Sequence, residues 1–315
     1  MLIVKYKKIF FILSGVIVGL SILSVLVFGL TFGIDFTGGA LTEVSYPDGR
    51  PDKKMVEARL ENIPIGGFSL RQSGDNNYIL RTRDLLEEER IAVMGALSLG
   101  GSIISITIER FTSIGPIIGT ELRNKAFTAV GVVALAIIFF IAFVFRHVSA
   151  PVSSWKYGII AIIALLHDII VPIGLFAVLG ALVGAEVDIL FVMALLAILG
   201  YSVNDTIVVF DRVRENLRTN LELNRKEDFE LTVGKSLNQT YIRSINTSLT
   251  TFFVLITLFM LGPLATQNFA LVLLTGVIAG TYSSICLATP LLVAVNNLQG
   301  NGSGSEKRKD KKKKK

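Results

Sequence analysis

The sequence is short of the residues that usually carry catalysis and metal binding. It has one cysteine and two histidines among 315 residues. The lone Cys286 excludes an internal disulfide, so any part of the chain outside a membrane must be held together by its own core. We find no metal-ligand cluster, no nucleophile beside a base and no phosphate loop, because GGALTE and GPIIGT lack the lysine and the strand–helix context. The sequence therefore predicts neither an enzyme nor an ATPase, and no cofactor or metal.

Polar stretches are also scarce, since hydrophobic residues make up 51% of the chain and the mean hydropathy is +0.62. Crossing a bilayer takes about 20 apolar residues. Six blocks are long enough, at 9–31, 127–145, 157–182, 188–210, 245–263 and 268–295. The first block continues into GIDFTGG rather than into a small-residue cleavage site, which indicates a retained span. The sequence predicts an α-helical polytopic membrane protein with six transmembrane helices.

The basic residues are concentrated on alternate connections between these blocks. The connections GAEVD and GPLATQNF have none, whereas basic residues occupy segments 1–8, 211–244 and 296–315 and the connection that holds Arg146 and Lys156. Because basic loops stay in the cytoplasm, we predict that both termini are cytoplasmic and that 32–126 lies outside. Segment 211–244 predicts one or two amphipathic helices on the cytoplasmic surface. The lysine-rich tail is typical of a solvated segment that reinforces topology, rather than of a nucleic-acid-binding one.

The segment that we place outside has the pattern of a small folded domain. Alternating strands, turn signals such as Pro47-Asp48-Gly49 and two helical stretches follow in the order β-α-β-β-α-β, which predicts a ferredoxin-like α+β domain. Asp84 is in a position to cap the second of these helices. No histidine or cysteine lies between residues 32 and 126. We therefore expect this domain to bind or to transmit movement rather than to perform chemistry.

Two polar residues, Asn204 and Asp205, interrupt the fourth apolar block. A carboxylate at that depth costs a few kcal/mol unless it is protonated, paired or hydrated, and such residues are functional by default. We predict Arg243, at the start of the fifth block, as the ionic partner of Asp205. Thr247 lies one turn further on the same helix face, together with Asn246 and Thr250. Protonation of Asp205 would release the arginine, which is the behaviour of a switch.

A second carboxylate, Asp168, lies beside His167 in the third block. This histidine could relay protons, or it could satisfy Asp168 without moving any charge, and the sequence leaves both open. Gly276 and Gly280 in the sixth block belong to a stripe of small residues, for which we favour close helix packing over a role in movement.

Four motifs in this order resemble the SecF family, the membrane subunits of the bacterial SecD–SecF protein-export complex in the resistance-nodulation-division superfamily. They are GIDFTGG at 33–39, LLHDIIV in the third block, GYSVNDTIVVFDRVREN in the fourth and RSINTSLTT in the fifth. The resemblance extends over nearly the whole chain up to about residue 296, and the lysine-rich tail departs from the family pattern.

The resemblance implies a protein of the bacterial cytoplasmic membrane that pairs with SecD and assists the SecYEG translocon. Such proteins use the proton-motive force to promote late export of preproteins. The family's proton-path aspartate and arginine match Asp205 and Arg243, and a further aspartate lies on SecD. For Asp35, the family suggests a role where the first span meets the outside domain, whereas we favour a glycine-rich turn with local aspartate capping. The turn residues are Gly33, Asp35, Phe36, Gly38 and Gly39.

Three functions remain open from the sequence. A motor subunit would couple the titration of Asp205 to export, with protons or sodium ions as the coupling ion. A scaffold would use the same charges only to specify helix packing and the docking of SecD. An exporter of small solutes or lipids would need a sizeable apolar pocket.

Overall fold

The computed structural model describes residues 2–99, 105–144 and 154–297. Arg146 and the lysine-rich segment after residue 297 lie outside the described residues. The helices are α1 (Leu2–Lys5), α2 (Lys7–Phe28), α3 (Ile34–Thr37), α4 (Lys53–Leu60), α5 (Glu87–Leu97), α6 (Pro116–Val144), α7 (Ser154–Val183), α8 (Ile189–Glu222), α9 (Phe229–Leu261) and α10 (Leu264–Tyr282). The strands are β1 (Gly39–Ser45), β2 (Ser69–Ser73), β3 (Asn77–Thr82) and β4 (Thr107–Ile114).

The chain divides into two compact units. The membrane unit combines Met1–Thr31, Ala129–Ala185 and Leu190–Lys315, and the α+β unit combines Phe32–Thr128 with Glu186–Ile189. Six helices of the described chain are long and apolar enough to cross a membrane. The protein is therefore mostly helical, with one small sheet.

The α+β unit is built on a four-stranded antiparallel sheet in the order β2-β3-β1-β4. On β3, buried and half-buried side chains alternate, so that Tyr78 and Leu80 enter the core while their neighbours point away. Helices α4 and α5 contribute Val56, Leu60 and Val93 to the same core. The element order is the predicted one, β-α-β-β-α-β, because turn residues and period-two alternation mark each strand in the sequence.

The cap of α5 differs from the prediction. Asp84 accepts a hydrogen bond from Ser113 Oγ and does not cap the helix. Glu89 instead turns back, and its Oε2 accepts the backbone N–H of Leu86 at 2.9 Å. Arg83 holds this carboxylate through a second contact at 3.0 Å, so a residue within the first turn satisfies the helix N-terminus.

Several membrane helices are longer than their apolar blocks. Helix α6 begins at Pro116 rather than near residue 127, because proline suits the first helical position and the polar residues that follow do not stop a helix. Segment 211–244, for which the sequence predicts one or two amphipathic helices, is helical at 211–222 and 229–244, and these stretches are the ends of the long helices. Helices α8 and α9 run on as one continuous helix each, leaving a connection of 223–228, and Asn216 Nδ2 bonds Ser236 Oγ between them at 2.8 Å.

The N-terminal segment is also more ordered than a tail. Its first residues form α1, and Val4, only 2% exposed, packs into the core of the membrane unit with Tyr157 and Leu292. The apolar Ile3 and Val4 explain this placement, since they gain by leaving water.

The last span is interrupted where Pro290 follows Thr289. A π-helical turn, Ser283–Ala288, replaces the α-helix there, and the span then continues to Asn297. Proline has no N–H to donate to the carbonyl four residues earlier, and its ring crowds that carbonyl. The hydroxyl of Thr289 donates to the carbonyl of Ser284 at 2.8 Å, across this turn.

Candidate functional site

Asp205 lies inside the membrane unit on α8, with only 5% of its surface exposed. Its Oδ2 accepts a hydrogen bond from Ser248 Oγ of α9 at 3.5 Å. Ser248 is in turn bonded to Thr281 Oγ1 of α10 at 2.6 Å and to Tyr201 Oη at 3.3 Å. A chain of hydroxyls from three helices therefore ends at this carboxylate.

Arg243 does not form the predicted ion pair with Asp205. Among the described residues no contact within 4.0 Å joins them, and Arg243 lies exposed on α9.

The other predicted neighbours lie on exposed surfaces of their helices. Asn204 points away from the carboxylate beside it, and Thr247 donates its hydroxyl to the carbonyl of Arg243 at 2.9 Å. Asn246 and Thr250 are exposed as well. The polar stripe of α9 therefore lies on the surface of the described chain, whereas Asp205 faces the interior.

Asp168 forms the centre of a second, deeper cluster and is fully buried. Its Oδ1 lies 2.8 Å from Nδ1 of His167, and its Oδ2 accepts a hydrogen bond from Ser283 Oγ at 2.7 Å. Ser202 Oγ of α8 donates to the same Oδ2. Two hydroxyl donors and one ring nitrogen, from three elements, thus converge on one carboxyl group.

Both helices that flank this cluster depart from regular α-helical hydrogen bonding there. Pro172 lies inside α7, so the carbonyl of Asp168, four residues earlier, has no helical N–H to accept. The π-helical turn begins at Ser283 and turns its hydroxyl toward Asp168. Interruptions of this kind free backbone carbonyls in the interior, and π-turns are frequent at functional sites.

The predicted packing glycines lie in tight contacts beside these clusters. A Cβ on Gly276 would lie 2.3 Å from Ile198 Cδ1, and one on Gly280 would lie 3.3 Å from Cβ of Ser202. A contact with backbone, which the sequence did not indicate, is at Gly174, where a Cβ would meet Cα of Ser21 at 2.4 Å. By contrast, nothing lies within 4 Å of a Cβ on Gly19.

The GIDFTGG motif lies in the α+β unit and fixes a compact turn. Gly38 and Gly39 have φ of +75° and +123°, and a Cβ on Gly39 would lie 2.5 Å from the carbonyl oxygen of Thr82. Phe36 is 2% exposed, and Gly33 N–H donates to the carbonyl of Val187 at 2.9 Å.

The sequence predicts that Asp35 caps its own turn, but the structure shows a different partner. Its Oδ2 accepts the N–H of Ile189, the first residue of α8, at 2.9 Å. The motif therefore supplies an acceptor and a negative charge to the N-terminus of a helix 154 residues away along the chain.

Sequence reasoning missed Ser248, which bonds Asp205, and Ser283, which bonds Asp168. It also missed Thr281, which bonds Ser248, and Tyr282, which stacks on His167. The residues at helical spacing from Arg243 lie on the exposed face of α9, which is not the face toward Asp205. Ser248 instead lies one helical turn, four residues, after Ser244. Both of these serines are buried. The available signal was a pair of small hydroxyls at helical spacing directly beside the charged stripe.

Comparisons with known proteins agree on one family. The model described as "Protein export membrane protein SecD/SecF, C-terminal" matches residues 98–298, and the one described as "SecD/SecF GG Motif" matches residues 23–46. Protein translocase subunit SecF of Thermobaculum terrenum is 39% identical, with 94% of each chain covered. The SecF subunit of Anaerolinea thermophila is 37% identical, with 91% of each chain covered.

Among solved structures, the chain is similar to the crystal structure of SecDF, a translocon-associated membrane protein, from Thermus thermophilus. The TM-score is 0.79 at 30% identity, over 93% of this chain and 38% of that one. A SecDF structure in a super-membrane-facing form gives a TM-score of 0.63 at 30% identity, over 96% of this chain and 39% of that one. The chain thus spans less than half the length of the SecDF chains that it matches.

Proposed function

The chain belongs to the SecF family of protein translocase subunits, and we propose that it works with SecD to promote late translocation of preproteins across the bacterial cytoplasmic membrane. The proton-motive force drives this work, and the chain itself catalyses no covalent reaction. Asp205 takes up and releases the proton, and Arg243 pairs with it in one of two arrangements.

One observation carries the proposal, namely that Asp205 is buried in a membrane helix and that no cation of the described residues is in contact with it. A buried charge of this kind is costly, so a small change in its surroundings moves it between the ionised and the neutral form. The buried hydroxyls of Thr206 and Ser244 have no hydrogen-bond partner among the described residues. They are groups to which a proton-carrying water can bind beside Asp205.

The exposed polar stripe supports SecD as the partner. Arg243 and Asn204 would face lipid if this chain were alone, which is unfavourable for a cation at membrane depth. We propose that a SecD helix covers this surface and that its aspartate competes with Asp205 for Arg243. Protonation of either carboxylate then shifts the arginine toward the other.

We propose that both termini and the connection between α8 and α9 are cytoplasmic, because basic residues cluster there. The α+β unit then lies outside. Its sheet order β2-β3-β1-β4 supports the ferredoxin-like description, and its role is to transmit movement of the spans to a translocating preprotein at the SecYEG translocon.

The test uses membrane vesicles that contain this chain, SecD and the translocon, and follows the completion of a stalled preprotein with and without a proton gradient. Asp205→Asn should abolish the gain that the gradient gives, while the mutant still co-purifies with SecD. Asp211→Asn, on the exposed end of the same helix, is the matched control and should keep the gain.

Other outcomes would favour other functions. A mutant that keeps the gain shows that Asp205 is a packing residue. Loss of assembly with SecD before any loss of coupling indicates a scaffold. If the gain depends on a sodium gradient instead of a proton gradient, the coupling ion is sodium. If a gradient drives the loss of a lipid or small solute from the vesicles, the chain is an exporter.

A further inference from the structure

We propose that His167 is a second proton-binding group of this chain, which takes up the proton at Nε2 while Asp168 holds Nδ1–H and supplies the opposite charge. The inference rests on the proposed function in assigning this group to the proton route. The binding itself is measured without any export assay.

The hydrogen bonds of Asp168 determine which nitrogen is free. An ionised carboxylate only accepts, and Asp168 receives bonds from Ser202 and Ser283 at Oδ2 and from Nδ1 of His167 at Oδ1. Nδ1 therefore carries the hydrogen of the neutral ring, and Nε2 has the lone pair. Proton uptake at Nε2 converts a buried, uncompensated negative charge into an imidazolium–carboxylate pair.

Nε2 has no partner to occupy it. The ring is 4% exposed, and Nε2 forms no hydrogen bond with any described residue. If His167 served only to hold Asp168, its second ring nitrogen would be expected to have a hydrogen-bond partner too, because buried polar atoms are normally bonded. The structure instead leaves a basic nitrogen in the membrane interior with its lone pair unused.

A cavity lies directly beside the ring. His167 is part of its wall, and the cavity of about 370 Å³ lies between α2, α7 and the last span, with mainly apolar side chains around it. Ser14 lines the same cavity, and its Oγ lies 3.1 Å from the hydroxyl of Tyr282. Tyr282 in turn stacks on the His167 ring, with the ring centres 5.8 Å apart. Nε2 itself is buried, so the cavity adjoins the ring without exposing this nitrogen.

The remaining titratable groups near the cluster belong to the helices packed around it. Tyr282 and Cys286 lie in the last span, and Asp205 is one turn from Ser202 on α8. Ser202 and Ser283 bond Asp168, whereas Ser248 bonds Asp205, so His167 and Asp205 belong to separate hydrogen-bond clusters of the described chain. Protonation of His167 and of Asp205 are thus two distinct events that share one helix.

The direct test is nitrogen NMR of the full-length chain, labelled with ¹⁵N-histidine in lipid nanodiscs. The only other histidine is removed by His147→Gln, so every signal reports His167. Between about pH 9 and about pH 5 we expect the ring to pass from the Nδ1-protonated neutral form to the imidazolium. In an Asp168→Asn background less imidazolium should form at each pH, because the opposite charge is gone, whereas Asp211→Asn should change nothing.

Two NMR results would overturn the assignment. One is a ring that stays neutral throughout this range, and the other is a neutral form protonated at Nε2, which would show that Asp168 carries the proton. Both measurements use the native His167 and Asp168, so they do not depend on whether the Asp168 variant folds.

The place on the proton route is tested by His167→Asn in the vesicle assay. The side-chain amide of asparagine can still donate to Asp168 from the position of Nδ1, but it cannot bind a proton. We expect most of the gain from the gradient to be lost while assembly with SecD is kept. An unchanged gain would remove His167 from the route. If Asp205→Asn keeps the gain, the proposed function fails, yet the NMR titration still decides whether His167 binds a proton.

Discussion

Ser248 on α9 donates to Asp205 on α8, while Thr247, the preceding residue, bonds only its own helix and is exposed. Adjacent residues of one helix thus separate the two surfaces of the candidate proton site. Ser248 belongs to the interior of this chain, and Thr247 belongs to the surface that we assign to SecD.

This separation predicts different effects of two conservative substitutions. Ser248→Ala removes the donor to Asp205, so gradient-dependent export should fall by roughly tenfold, as for loss of a hydrogen bond to a charged group. Thr247→Ala should leave the thermal stability of the isolated chain unchanged and weaken only its co-purification with SecD. Equal effects of both substitutions in both assays would contradict this assignment of the two surfaces.

The contact between α2 and α7 predicts a large effect at a residue that carries no charge. Gly174→Ala places a methyl group 2.4 Å from Cα of Ser21, and because the clash is with backbone, the helices must separate. We expect a loss of about 1–3 kcal/mol, measured by reversible unfolding in detergent. Gly19→Ala is the control, since its methyl group meets nothing and alanine favours helix. A Gly174→Ala protein as stable as Gly19→Ala would contradict the close approach.

A site residue could be predicted from the sequence only where its type is unusual for an apolar helix. Asp205 was identifiable because a carboxylate is rare in an apolar block. Ser248 was not, because serine is ordinary in membrane helices and the rotation of α9 is set by packing. Leu255 packs with Leu274 and Val277 of α10, and this contact turns Ser244 and Ser248 inward and Arg243 outward.

The fold shows the same division between local and tertiary information. The six apolar blocks and the β-α-β-β-α-β order follow from hydrophobic period and turn residues, which are local. The lengths of α8 and α9 cannot be predicted from local sequence. The charged segment 211–244 is compatible both with separate surface helices and with extensions of the spans. Contacts such as Asn216 with Ser236 and Asn220 with Thr232 hold the two helices together, and only the folded chain reveals them.

Variants that change the bond from Ile189 N–H to Asp35 can distinguish a structural from a functional role of GIDFTGG. Asp35→Ala removes the acceptor at the N-terminus of α8, so the Ile189 amide should exchange hydrogen up to about tenfold faster, the effect of losing a helix cap of about 1 kcal/mol. Asp35→Asn keeps an oxygen acceptor and should have a smaller effect. If Asp35→Asn abolished the gradient-dependent gain while Ile189 stayed protected, Asp35 would have a functional role beyond capping.

The α+β unit should lose stability at alkaline pH through Tyr46. Burial, with a smaller contribution from Tyr78, raises the pKa of Tyr46 from 10.0 to about 12. Its hydroxyl donates to the carbonyl of Leu97 at 3.0 Å. Because the folded-state pKa is the higher one, the stabilisation is complete below pH 10, where the unfolded tyrosine is still neutral. It falls as the pH rises toward 12, by about 2–3 kcal/mol in total.

Hydrogen exchange of the sheet amides in the full-length chain measures this effect between about pH 9 and about pH 11, after correction for the intrinsic dependence of exchange on pH. Protection of β1 and β3 should decline steadily above pH 10 in the wild type. Tyr46→Phe should start lower, because the bond to Leu97 is lost, and should decline less steeply, because no proton leaves this residue. Parallel declines in the two proteins would show that another group governs the alkaline stability of the unit.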